Sequence, residues 1–380
     1  MERRGGGARL ARAPGLRDRL PVIDFRLDPE LELIRDTARQ FAGAELRPRD
    51  REHESARGVG ASVRRAFREI GLAGVDWPAS LGGADLGALA RAVVQEELAA
   101  ADAGAAIALD PLGSAFHALS QAGEAAALRA HAAPLLDRDG ARAVLVWNDG
   151  AVAVRAGQAT GVVPWVPADR VDVAVLLDTE SIAVVDSSIE VASLRGAGLR
   201  AAGAAELRLT GAPIREFWVD RAAARRALAR ARLDAAALLL GVARAAAEFS
   251  RTYALSRVAF GRPIAHHQAL AFLITDMAAA VDGTRLLVHE AAVRLDGGED
   301  AIEACATAFA EAAEQAAFVT PNAVQILGGH GFMQDYPVEK WMREARVLSL
   351  GLGGVDAARE DAGCYALARE PLLDLVGERA

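Results

Sequence analysis

The spacing of the apolar residues changes twice along this chain, and that pair of changes limits the fold more than any other feature. Up to about residue 140 the spacing is helical. Asp28-Pro29-Glu30 opens the first run, because an aspartate caps free backbone N–H groups and a proline fits the first helical turn. Leu31, Ile34, Ala38, Phe41 and Ala42 recur at helical spacing, and Arg47-Pro48 is expected to stop the helix. Further helix is expected over 62–70, 86–100 and 111–136, with Trp77-Pro78 and Leu81-Gly82-Gly83 making a turn. From about Ala141 short β-branched runs take over, at 143–147, 151–154, 171–177 and 182–185. Glu206-Leu207-Arg208-Leu209 then alternates as a half-buried strand does, and the sheet is expected to end near Pro213. From about Arg221 helical spacing returns in long runs over 222–256, 268–295 and 301–327, joined by short loops that favour an antiparallel bundle.

The expected fold class is therefore α+β: an N-terminal helical domain, a small middle antiparallel β domain and a C-terminal antiparallel helix bundle. The boundaries read as 27–140, 141–215 and 216–380, after a flexible basic tail over 1–26. At 380 residues the chain is long enough for two or three packed units. Its abundance of Ala and Arg favours helix. A net charge of −8 argues against a nucleic-acid partner, since phosphate binding needs a basic field. The Ala-rich stretches are broken by Arg, Glu and Asp, so no membrane span is expected. The basic opening has no apolar centre of the kind a secretion signal needs, and two cysteines make neither a disulfide framework nor a zinc site. These features point to a cytoplasmic protein with no metal.

Two motifs in the last segment carry chemistry. The first is Arg257-Val258-Ala259-Phe260-Gly261-Arg262-Pro263-Ile264, followed by His266-His267-Gln268. The second runs Gln325-Ile326-Leu327-Gly328-Gly329-His330-Gly331-Phe332, then Tyr336-Pro337-Val338-Glu339-Lys340 and Arg343-Glu344-Ala345-Arg346. Arg257 offers a forked permanent cation suited to a pyrophosphate. Phe260 offers an apolar face to an aromatic ring. Gln268 and Gln325 can donate and accept hydrogen bonds to ribose or adenine groups. Gly328 and Gly329 let backbone approach a ligand closely. Taken singly, each has a plainer reading: a solvated arginine, a helix stop, polar residues at a helix start. Gly351-Leu352-Gly353-Gly354 follows no strand and is not read as a dinucleotide-binding turn.

In this order and at this separation the motifs closely resemble the acyl-CoA dehydrogenase superfamily. The Trp77-Pro78 to Gly83 turn and the Glu96-Glu97 helix resemble that family's N-terminal domain. The resemblance implies FAD, an acyl-CoA thioester substrate oxidised between its α and β carbons, and an electron-transfer flavoprotein as partner. In the family a glutamate removes the α-proton while the β-hydrogen leaves as hydride to the flavin. Arg257, Phe260, Gln268, Gln325, Gly328 and Gly329 are the cofactor-binding residues it implies.

The resemblance also marks losses. The position of the glutamate falls on Leu352, and the alternative position on an earlier helix falls on Ala231, before Arg232. No catalytic residue is therefore assigned. Where the family has a Thr-Glu-Pro-Gly loop at the flavin ring, this chain has Trp147-Asn148-Asp149-Gly150. Trp165 matches a flavin-facing tryptophan, but the nearby threonine is Pro167. The resemblance implies an FAD shared across a subunit interface, whose adenosine-diphosphate half rests on the neighbour's Arg-Phe and Gln-Gly-Gly elements. This chain keeps what is given to a neighbour and has lost what serves its own flavin. The expectation is a companion subunit in a heterotetramer of lipid metabolism, beside a catalytic sister subunit. The alternatives are an active homomer with a non-standard base such as Asp356, or a non-enzymatic scaffold or regulatory protein on the same fold.

Overall fold

The computed structural model describes residues 26–368; apart from Arg26, the expected tail lies outside the described residues. Three bodies follow in chain order. The first is helical: α1 (Pro29–Phe41), α2 (Asp50–Ala56), α3 (Ala61–Glu69), α4 (Gly87–Leu109), α5 (Ala115–Ala127) and α6 (Ala133–Leu136). Asp28 caps α1 through a 2.8 Å bond from the Leu31 N–H. Arg47-Pro48 does not end the helical path as expected. The chain passes through a π turn at Ala42–Leu46 and a 3-10 turn at Arg47–Arg49 straight into α2. Pro48 sits at the start of that turn, where its missing N–H costs least.

Helix α4 also runs past its expected end near Ala100. Asp102 leaves helical geometry at φ −161° and ψ 103°, and its side chain then accepts from the Ala105 N–H at 3.0 Å. The aspartate breaks the helix and caps its continuation.

The middle body is a seven-stranded sheet: β1 (Ala143–Trp147), β2 (Val152–Arg155), β3 (Gln158–Val166), β4 (Val173–Leu177), β5 (Ser181–Val185), β6 (Ile189–Ser193) and β7 (Ala205–Val219). It is mixed where an antiparallel sheet was expected, because β1 and β4 pair in parallel, Ala143 opposite Val173. The remaining pairs are antiparallel. Alternation divides the sheet between two cores. Val173, Val175, Leu177, Ile182 and Val184 pack toward the helices, while Ala174, Leu176, Ala183 and Val185 fill a smaller core of the sheet's own. Strand β7 runs beyond Pro213, which marks where it changes partner: Pro213 lies opposite Gln158 of β3, and Ile214 opposite Val185 of β5. A proline is tolerated at such an irregularity because no regular ladder needs its N–H.

The last body holds α7 (Arg221–Ser256), a short hairpin of β8 (Val258–Ala259) and β9 (Arg262–Pro263), α8 (Gln268–Asp296), α9 (Ile302–Leu327), α10 (Val338–Leu348) and α11 (Gly354–Ala368). Asp220 caps α7 through the Ala223 N–H at 3.0 Å. The buried alanines of α7 and α9 let these helices pack closely, and Gly241 lies so near α4 that a β-carbon there would meet the Glu96 carbonyl.

Candidate functional site

A cavity of about 920 Å3 lies where the three bodies meet. Helices α4 and α7, strands β1 and β3, and the loop from α10 to α11 wall it. Its lining is mostly apolar, with Trp147 and Trp165 from the strands and Leu238 and Leu348 from the helices. Ala231 and Leu352, the two positions where the family resemblance puts a glutamate, both line it. Neither side chain can take a proton.

Leu352 has a left-handed backbone, φ +56°, and Gly353 and Gly354 follow at +86° and +72°. The Leu352 carbonyl accepts from Arg232 at 3.3 and 3.4 Å, and Arg232 pairs with Asp361 at 2.5 Å. Trp147 reaches this loop: a β-carbon on Gly353 would sit 3.5 Å from its indole nitrogen. Asp356 is exposed on the first turn of α11 and does not line the cavity.

The cavity's carboxylates are Asp110, Asp149 and Asp234. Asp234 is buried and accepts from Arg91 at 2.9 and 3.1 Å and from Ser114 Oγ at 3.1 Å, and its Oδ2 lies 2.8 Å from His117 Nε2. Burial works against its ionisation, but Arg91 and His117 outweigh it and hold the carboxyl far below the usual range. A carboxylate held that way is a poor base. Asp110 accepts from Arg91 at 2.7 Å and from the N–H groups of Leu112 and Gly113. Asp149, in the exposed turn after β1, has no ion pair among the described residues. The cations are engaged too. Arg91 meets Asp76, Asp110 and Asp234, and Arg142 donates to the carbonyls of Ile107, Asp110 and Pro167. This ionic cluster on α4, α5 and α7 was not foreseen from the sequence. Its members are spread from Asp76 to Asp234, and no local spacing announces it.

The six expected cofactor residues lie elsewhere; none lines the cavity. Helix α7 ends at Arg257, α8 begins at Gln268, and α9 returns to end beside Gln325 and Gly328, so the three helices deliver them to one end of the bundle. A bond of 2.8 Å from Tyr253 to His330 joins the last turn of α7 to the Gly-Gly turn, and His330 stacks on Tyr336 at 5.1 Å. Arg257 is exposed, with no ion pair among the described residues. Phe260 is 95% exposed at φ +54°. Gly328, at φ +59° and ψ −132°, needs glycine for its backbone angles and not for room, since a β-carbon there would meet open space. His267 bonds locally to Arg262 and to the Ala259 carbonyl. Among the described residues no group of three His, Cys, Asp or Glu is placed to hold a metal, and no helix is long and apolar enough to cross a membrane.

Two family models match: Acyl-CoA dehydrogenase, N-terminal domain, over residues 28–138, and Acyl-CoA dehydrogenase, C-terminal domain, over 221–363. The chain belongs to the acyl-CoA dehydrogenase superfamily. An acyl-CoA dehydrogenase of Bacillus subtilis is 41% identical over 136 residues, 36% of each chain, so the match spans only about a third of that relative. The bovine mitochondrial short-chain specific acyl-CoA dehydrogenase is 27% identical over 86% of this chain and 88% of its own. Among solved structures, an electron transferring flavoprotein study of Acidaminococcus fermentans gives a chain 25% identical, covered wholly by 92% of this one, at a TM-score of 0.81. Butyryl-CoA dehydrogenase of Megasphaera elsdenii shares the fold at a TM-score of 0.79, with 23% identity over 91% of this chain and all of its own. Structures of the same fold include PigA with FAD and proline and a glutaryl-CoA dehydrogenase of Mycobacterium smegmatis with FADH2.

The two places differ in what they offer a flavin nucleotide. The bundle end presents a guanidinium with no ion pair among the described residues, an exposed aromatic ring and a glycine turn, groups of the kind an adenosine diphosphate can use. In the cavity most polar groups are already engaged within the chain. Arg91 and Arg142 are spent on internal partners, Asn148 is bonded to both backbone groups of Val152, and Pro167 has no N–H.

Proposed function

We propose that this chain is the companion subunit of a heteromeric acyl-CoA dehydrogenase. It lends Arg257, Phe260, Gln268, Gln325, Gly328 and Gly329 to the adenosine-diphosphate half of an FAD whose ring lies in a catalytic sister subunit. FAD supplies the oxidising chemistry there, the α,β-dehydrogenation of an acyl-CoA thioester, with an electron-transfer flavoprotein receiving the electrons. One observation carries the reading: both possible base positions face the cavity as Ala231 and Leu352, while the exposed bundle end keeps an Arg257 with no ion pair among the described residues. The role of this chain's own residues is to bind and orient the phosphate-bearing half, not to move a proton.

A second reading, an active homomer with a non-standard base, is favoured by Asp149 rather than by Asp356, because only Asp149 lines the cavity. Flavin content and dehydrogenase activity of the chain alone, and co-expressed with its genomic neighbour, separate the two. Flavin in the co-expressed complex only, at one per pair of chains, is the expected result. One flavin per chain in a lone active homomer, with activity removed by Asp149→Asn, overturns it. Flavin in neither preparation favours a scaffold role.

A further inference from the structure

A second cavity, of about 230 Å3, opens at the seam between the N-terminal helices and the sheet, and arginines crowd it. Arg57, Arg64, Arg68, Arg138, Arg142 and Arg170 line it, against Asp139 and Asp169. Asp139 is shared between Arg64 at 2.6 Å and Arg68 at 2.9 Å. Asp172, just outside, is likewise shared between Arg138 at 3.3 Å and Arg170 at 2.9 Å. Six guanidinium groups thus line the pocket against two carboxylates of its wall, with Asp172 and Asp110 acting on them from outside it, a local positive excess in a chain of net charge −8.

Among the described residues, two of the six bond to carbonyls and make no ion pair. Arg57 donates to the Ala204 carbonyl at 2.9 Å, and Arg142 to those of Ile107 and Asp110 at 2.5 Å. Arg142 is buried, and burial pulls its pKa down against the pull of Asp110 and Asp169. Its hydrogen bonds go to neutral carbonyl oxygens and it makes no ion pair among the described residues, so its charge is only partly offset, by Asp110 and Asp169 nearby. Behind the arginines the wall is apolar, with Trp77, Leu109, Leu135 and Leu136.

We propose that this pocket binds a small organic anion, its carboxylate or phosphate head on the arginines and its compact apolar body against Trp77 and Leu135. The volume lies below the roughly 300–1,000 Å3 of pockets for drug-sized ligands, so a coenzyme is too large for it. Arg142 also lines the larger cavity and leads directly into β1. An anion here therefore acts on a cation that borders both chambers.

The test is calorimetric titration of the full-length protein at low ionic strength with benzoate, phenyl phosphate and inorganic phosphate. Saturable binding of benzoate or phenyl phosphate is expected, tighter than inorganic phosphate, and the tighter of the two identifies the head group. Arg170→Gln and Arg68→Gln should each weaken it roughly fivefold, the scale of one exposed charge contact. Arg35→Gln, whose ion pair with Asp36 lies on α1, should leave it unchanged. If Arg68→Gln does not fold, Arg170→Gln decides alone. No saturation by either organic anion overturns the proposal, as does wild-type affinity in the folded Arg170→Gln protein. Inorganic phosphate binding as tightly as phenyl phosphate removes the apolar body from it.

Discussion

The two ends of α7 are built on opposite principles. In its first half Asp234 is buried in a closed set of ion pairs, and Arg232 is 1% exposed and tied to Asp361 and the Leu352 carbonyl. At its far end Arg257 stands in solvent with no such partner, beside a Phe260 that buries almost nothing. Buried charges must be satisfied from within, because the interior cannot solvate them. An exposed cation and an exposed aromatic ring are free to meet something from outside. One helix thus closes a cavity at one end and offers a contact surface at the other.

The largest effect should come from the closed end. Asp234→Ala leaves Arg91 and His117 short of their shared partner and should cost about 3–5 kcal/mol, the usual cost of breaking a buried pair. Thermal unfolding of the purified chain measures it, and an unshifted midpoint would mean that the cluster does not hold α4, α5 and α7 together. At the open end, Arg257→Ala should leave the unfolding midpoint alone. Flavin binding by the co-expressed complex should fall about tenfold, as loss of a charge-assisted contact predicts. Flavin absorbance after gel filtration reads this out, and full retention would break the comparison at its open end.

The smallest effect is a pH dependence. Burial pushes the Glu344 carboxyl up to about 7, with Asp102 adding to the rise and Lys340 opposing it. Its folded value lies above the ordinary 4.5, so the stability it confers is complete below about that pH and is lost as pH rises through 7. Asp234 has the opposite sign: its stabilisation is present above the usual carboxylate range and is lost as pH falls. Urea midpoints should therefore decline from about pH 5 to 8, and Glu344→Gln should flatten the decline. An equal slope in both proteins would assign the decline to another group.

The three long C-terminal helices were legible nearly to the residue, because periodic apolar spacing and the short loops between the runs are local signals. Local signals failed where a side chain acts on its own backbone or a strand changes partner. Asp102 restarts α4 and Pro213 marks the turn of β7, and neither can be seen in residue spacing. The parallel pairing of β1 with β4 was equally hidden, since the two strands lie far apart along the chain.

Sequence by itself pointed to the family and fixed which residues stand at the positions compared, Ala231 and Leu352 where the resemblance puts a glutamate and Arg257 and Gly328-Gly329 where it puts cofactor contacts, all matters of residue identity in short motifs. Tertiary structure alone decided that Ala231 and Leu352 face one cavity and that its cations are already engaged, Arg91 by carboxylates and Arg142 by carbonyls. It also decided that the retained motifs lie apart from that cavity. Those are long-range facts: Arg91 meets Asp234 across 143 residues and Arg232 meets Leu352 across 120, so only the packed chain brings them within bonding distance.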